Sequence, residues 1–224
     1  MAQQSSNVGA THLGFESLIL EAFLSREKNS PHWADSLIHV VPHNQTQSLA
    51  YHHQHSQYHL VLFWLENYFS QAARWMGVRE LARLALDFLE QSRLSCVNAE
   101  ISALQFLEFI GKKKDTHQNV SQLETLMRCG VACWKLSSAP WNPELAQLSR
   151  DKKESLSLLI EHQHAAYVES DQGWSLGDLW TAALTGKPAE VSSPADILLF
   201  YRNNEFQIDF EVWPQTEFRR MMSI

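Results

Sequence analysis

A chain of 224 residues, 45% of them hydrophobic and 19% charged, can bury one substantial core, and that composition excludes a disordered polypeptide. Its formal charge of -7, with histidines neutral, would repel a phosphate backbone and argues against nucleic acid as a partner. No apolar run approaches the roughly 20 residues that span a bilayer, and the opening "MAQQSSNVGATHLG" lacks the basic stretch and apolar core of a secretory signal, so the expected location is cytoplasmic.

In chain order, apolar residues recur at three and four positions from about residue 13 to 148, which predicts helices near 13–27, 47–75, 78–92, 98–110 and 120–136. Val78, Leu81, Ala82, Ala85, Phe88 and Leu89 keep one face of the third helix apolar, and "SQLE", Ser121 to Glu124, reads as a capping box opening the last. "SSAPWNP", Ser137 to Pro143, stops that helix, because proline lacks an N–H and restricts the residue before it. Beyond it the period changes. "ESLSLLIEHQHAAYVES" and "ADILLFYRNNEFQIDFEVW" are short, branched and aromatic, and read as strands, with a helix over "SLGDLWTAAL" between them that Gly186 and Pro188 end. Asn203 and Asn204 tolerate left-handed turn conformations, so the second strand region predicts a hairpin with Phe206, Ile208 and Phe210 on one face. The expected fold class is α+β: an N-terminal helical bundle over residues 1–140, then a small α/β domain over 141–224 carrying the C-terminal β-hairpin.

The histidines of "YHHQHSQYH" pose the question of a metal, since neutral imidazole is a common ligand of zinc, iron and copper. On one helix, at about 100° per residue, His52, His55 and His59 share a face with Glu66, Ser70 and Arg74, opposite Tyr58, Val61, Leu65, Tyr68, Phe69 and Ala72. They therefore extend a polar stripe, which reads as a solvated or partner-facing surface and not as a metal site with its second shell of carboxylates. His162 and His164 could share a strand face, a weak signal without a thiol or carboxylate nearby. The three cysteines, Cys96, Cys129 and Cys133, form no paired framework, and Cys129, between Met127 and Val131, reads as a buried and inert thiol. There is no G-x-S-x-G, H-E-x-x-H, C-x-x-C or phosphate-cradling glycine loop. No catalytic set and no metal set is assigned to this chain.

The order "LVLFWLENYFSQAARWMGVRELARLALDFLEQS", "NVSQLETLMRCGVACW", "GWSLGDLW" and "ADILLFYRNNEFQI" resembles the HvfC/MbnC-like family across almost all of the chain, with "FQIDFEVWP" similar to the end of its methanobactin branch. Phe69 departs from the pattern, where many relatives have a proline. The resemblance implies a non-catalytic partner subunit. Its mate would be an MbnB-like TIM-barrel oxygenase that holds a multinuclear iron centre, and the shared substrate an MbnA-like ribosomally made peptide whose cysteines become oxazolone and thioamide groups. The iron would belong to the barrel, with no cofactor in this chain, and this chain would bind the peptide leader. An extended leader can add to an exposed strand edge, so the candidate groove residues are Leu199, Tyr201, Phe206 and Ile208, with Arg202 facing an acidic leader side chain. A DNA-binding regulator and a stand-alone histidine metalloprotein stand as the alternatives, the first opposed by the acidic balance.

Overall fold

The computed structural model describes residues 56–92, 98–113, 118–170, 175–186 and 196–222. Helices come first and a three-stranded antiparallel sheet follows, an α+β architecture as predicted. Contacts divide the chain into two compact units. Of the described residues one holds 56–66, 76–92 and 98–106, and the other holds 67–75, 107–113 and everything from 118 onward. Among the described residues no helix is long and apolar enough to cross a membrane. The helix predicted near 13–27 lies outside the described residues.

The first unit is built from α1 (residues 56–67), α3 (Val78–Ser92) and most of α4 (Ala99–Lys112). Val78, Leu81, Ala82, Ala85, Phe88 and Leu89 are buried, as their helical spacing predicts. Trp64 stacks on Phe106 at 5.6 Å between centroids, close to Phe88, and its indole N–H donates to the Ala99 carbonyl at 3.0 Å. Asn98 starts α4 because its side-chain oxygen accepts from the Glu100 and Ile101 amides. The long helix expected over 47–75 is broken at 68–69, and α2 (Ser70–Met76) follows the break.

The second unit is organised around α5 (Gln118–Ser138). Its start three residues before Ser121 overturns the predicted capping box: Ser121 lies inside the helix, buried, and its hydroxyl has no hydrogen-bond partner among the described residues. Gly130 lets the chain at 68–69 lie directly on α5, since a side chain there would occupy the position of the Tyr68 carbonyl oxygen. Tyr68 packs its ring on Trp134 at 4.6 Å. After the break, Asn142 caps α6 (Pro143–Ala146) through the Glu144 amide at 3.0 Å.

The stretch expected to be one strand, Glu154 to Ser170, divides into a helix and a strand: α7 (Lys153–Glu161) and β1 (Ala165–Glu169). Leu156, Leu159 and Ile160 stand at helical spacing and all pack into one core cluster, and this tertiary burial overrides the strand preference of the run. The helix ends on a Schellman motif, in which the Gln163 amide donates to Ile160 and the His164 amide to Leu159, with Gln163 in the left-handed region at φ 57°. Next, α8 (Leu176–Thr185) is capped by Ser175 and, as read from the sequence, closed by Gly186, at φ 68°. The chain finishes with β2 (Asp196–Arg202), β3 (Ile208–Pro214) and α9 (Gln215–Met222).

The strand order is β1-β2-β3, with Tyr167 opposite Leu199 and Leu199 opposite Glu211. Alternation gives the sheet two faces. Ala165, Ile197, Leu199, Tyr201 and Trp213 belong to the cluster with Leu156, Leu159 and the fully buried Phe218 of α9. Leu198 and Phe200 point the other way, and Trp180 of α8 meets Phe200 edge-on at 5.1 Å. Asp196 opens β2 and fastens α8 to it. Its carboxylate accepts from the Ser175 hydroxyl at 2.7 Å and from the amides of Leu176 and Gly177, at the positive end of that helix.

Candidate functional site

The predicted hairpin is present, and its loop is ordered by one side chain. Asn203 Oδ1 accepts from the amides of Glu205 and Gln207, while the Asn203 amide donates to the Gln207 carbonyl at 2.9 Å. This is a three-residue loop whose last position adopts φ > 0, ordinarily a glycine position. Here it is Phe206, at φ 63° and 59% exposed. A bulky residue held in that region costs about 1–3 kcal/mol, and its ring lies on the solvent side, against Trp141 at 4.7 Å between centroids. Phe206 is therefore in the loop and does not extend the face of Ile208 and Phe210, as the sequence reading expected.

The five candidate residues take different places. Leu199 is fully buried and lies on β2, the middle strand, whose backbone is paired on both sides. Tyr201, also on β2, carries the Arg150 guanidinium over its ring at 3.7 Å. Arg150 in turn donates to Glu211 from Nε at 3.0 Å and from the guanidinium end at 2.7 Å. Burial would raise the Glu211 carboxyl, but hydrogen bonds from Arg150 and the Trp213 indole hold it below its usual range. Burial pushes the Tyr201 phenol upward, against the Arg150 charge. Arg202 reaches the end of α5, donating to the Ala139 carbonyl at 2.6 Å and the Ser137 carbonyl at 3.3 Å. Ile208, half-buried, opens β3. Of the five, only Phe206 and Ile208 lie at or beside a sheet edge.

Beside Arg202 stands a residue group that the sequence reading did not assemble. His164, 2% exposed, accepts the Asn142 amide at Nε2, 3.1 Å, which places the imidazole proton on Nδ1. Trp141 lies 5.4 Å from the His164 ring and beneath both Arg202 and Phe206. Burial, reinforced by the Arg202 guanidinium, holds the His164 pKa below 6.5, with the Pro140 carbonyl opposing. His162 caps α7 and is exposed, so the two histidines do not share a strand face. The aromatic between two prolines in "APWNP" was the one sequence signal for this group.

The sheet has two outer edges. The Arg202 amide donates to the His164 carbonyl and the Asn203 amide to Gln207, and these two bonds set the phase of both ladders. On β3 the backbone groups of Asp209, Glu211 and Trp213 then face β2, while those of Ile208, Phe210 and Val212 face outward. Pro214 ends the strand at an outward position, where a missing N–H costs no ladder bond. Phe210 is 37% and Val212 49% exposed, so the outward-facing run is apolar as well as unpaired by any strand among the described residues. On β1 the outward residues are Ala165, Tyr167 and Glu169.

Burial pushes the Cys129 thiol well up and the Cys133 thiol to about 12, so neither is a nucleophile at neutral pH. His59 is exposed, in keeping with the polar stripe, while His52 and His55 lie outside the described residues. Among the described residues no group of three or more His, Cys, Asp or Glu stands close enough to hold a metal ion. Comparisons with protein-family models, with curated proteins and with solved structures find no match, so the outer edge of β3, with Phe206 at its head, is a candidate on its own geometry.

Proposed function

We propose that this chain is a non-catalytic partner subunit of an iron-dependent TIM-barrel oxygenase that modifies cysteines of a ribosomally made precursor peptide, and that it captures the leader of that peptide along β3. The assignment to that type of complex comes from the order of sequence segments. One structural observation supports the capture step: β3 offers outward N–H and C=O groups at Ile208, Phe210 and Val212 beside exposed Phe206, Phe210 and Val212 side chains. An added strand would gain backbone hydrogen bonds, and its alternate side chains would meet this apolar run. The iron and the chemistry would belong to the barrel subunit.

The test is a titration of a fluorescein-labelled leader peptide against the full chain and two variants, Phe210→Pro and Phe210→Ala. Proline removes an outward donor without breaking a bond to β2, so the fold persists by circular dichroism and leader affinity falls well below that of the alanine variant. Unchanged affinity in a folded Phe210→Pro chain overturns capture at β3. Light scattering on the co-expressed pair tests the complex itself, and two independent species at micromolar concentration overturn the partner role.

A further inference from the structure

We propose that His164 works as a proton-operated clasp: neutral, it holds the strap of residues 139–142, and with it Trp141, under the hairpin tip, and protonation lets the tip go. The proposal is independent of leader capture, because it concerns how Phe206 is held and not what β3 binds. The strap is poor in backbone donors. Pro140 and Pro143 carry no N–H, so between Ala139 and Glu144 only Trp141 and Asn142 can donate, and the Asn142 amide is given to His164 Nε2 at 3.1 Å. On the other ring nitrogen, the Nδ1 proton is turned to the Pro140 carbonyl but makes no full hydrogen bond among the described residues. One imidazole thus addresses the chain on both sides of Trp141, as a neighbouring strand would.

Trp141 transmits this hold to the hairpin. Its ring lies 5.4 Å from that of His164 and 4.7 Å from that of Phe206, and Phe206 keeps a φ of 63° that glycine alone takes without strain. The contact with Trp141 opposes relaxation of that loop residue. His164 and Arg202 face each other across β1 and β2, one step beyond the Ala165–Tyr201 pair, and the Arg202 guanidinium ties the same strap through the Ala139 carbonyl at 2.6 Å. When a proton from water adds to Nε2, that atom and the Asn142 amide are both donors and their hydrogen bond is lost. Arg202 of β2 and His162 at the end of α7 both oppose the new charge, the strap contributes no titratable side chain, and Asp209 of β3 accepts from the Asn203 side chain at 2.9 Å. Burial adds to that opposition, so the clasp is closed at neutral pH and opens below 6.5. The ring binds a proton more readily once it leaves this site, and acid therefore favours the open form.

The experiment is a magnetic-resonance titration of the full chain, labelled with nitrogen-15 and carbon-13, from pH 7.5 to 5. The His164 ring, the Asn142 amide, the Trp141 indole N–H and the Phe206 amide are expected to move along one curve with one midpoint, and the cross-peaks between the Trp141 and Phe206 rings to be lost at its acid end. Signals of Gly177 and Trp180 in α8 should stay in place through that transition. In His164→Gln, whose Oε1 can still accept from Asn142 but takes up no proton in this range, the ring cross-peaks should persist at pH 5; in His162→Gln they should still be lost. Ring cross-peaks that survive protonation of His164 overturn the coupling, and a His164 ring still neutral at pH 5 overturns the device. Loss of the α8 signals on the same curve overturns a local clasp in favour of unfolding of the whole unit. The parent chain alone decides these three outcomes, so the test holds even if His164→Gln does not fold.

Discussion

Replacing Gly130 with alanine sets a helix-propensity gain against a steric overlap, and the structure decides which wins. In an exposed helix the change stabilises by about 1 kcal/mol. At this position the new methyl would overlap the Tyr68 carbonyl oxygen and come within 3.0 Å of the Tyr68 carbonyl carbon and 3.8 Å of the Phe69 Cα. Those atoms are backbone, and both residues are almost wholly buried, so they cannot swing aside as the end of a long side chain would. Overpacking of this kind costs ~1–3 kcal/mol and more where the neighbour is rigid, so the expected net destabilisation is about 3 kcal/mol. For a chain of this length that lowers Tm by roughly 6–12 °C. Gly111 supplies the control, because a methyl there meets only the Glu124 side chain at 3.6 Å, an ordinary contact. Gly111→Ala should therefore stabilise by up to about 1 kcal/mol. Urea unfolding followed by circular dichroism measures both. A Gly130→Ala chain as stable as the parent would refute the close approach of residues 68–69 to α5.

Gln163→Gly should raise stability by about 1 kcal/mol, because glycine takes the left-handed position of the Schellman motif without strain; a loss in urea unfolding would count against that assignment. Asp196→Ala should cost about 2 kcal/mol, since it leaves the Ser175 hydroxyl and the amides opening α8 without their buried acceptor; loss of Trp180 burial, read by fluorescence, should accompany it. His164 has a lowered folded pKa, so its contribution is fully present above pH 6.5 and is lost as pH falls from there through the folded value. Thermal melts between pH 7.5 and 5 should show that loss, and His164→Gln should flatten the part of the slope due to this residue.

The hairpin and α8 were legible because their signals are local: the Asn203–Asn204 pair marks the turn, although the left-handed position falls on Phe206, and Gly186 marks the end of the helix. The α7 segment was not, since "SLSLLIE" satisfies both periods and only the core formed by Leu156, Leu159 and Phe218 settles it as a helix. The apparent capping box failed for a related reason, as the helix begins a turn earlier and buries Ser121. Strand order is not local at all. Nothing in "ILLFYR" says that it will lie between two other strands, and for that reason Leu199, Tyr201 and Arg202 were proposed as edge residues although they stand on the middle strand.

That middle position has a consequence for how the protein can change. Each residue of β2 answers to one of two packed layers and to two ladders at once, so a substitution acceptable to one neighbour is judged again by another. The outward residues of β3 answer to far less of the chain itself. A saturation library selected only for folding should show an intolerant heptapeptide at 196–202 beside a permissive run at Phe206, Phe210 and Val212. The same library selected for binding should turn that permissive run selective, which separates the positions that make the protein from those that make it useful.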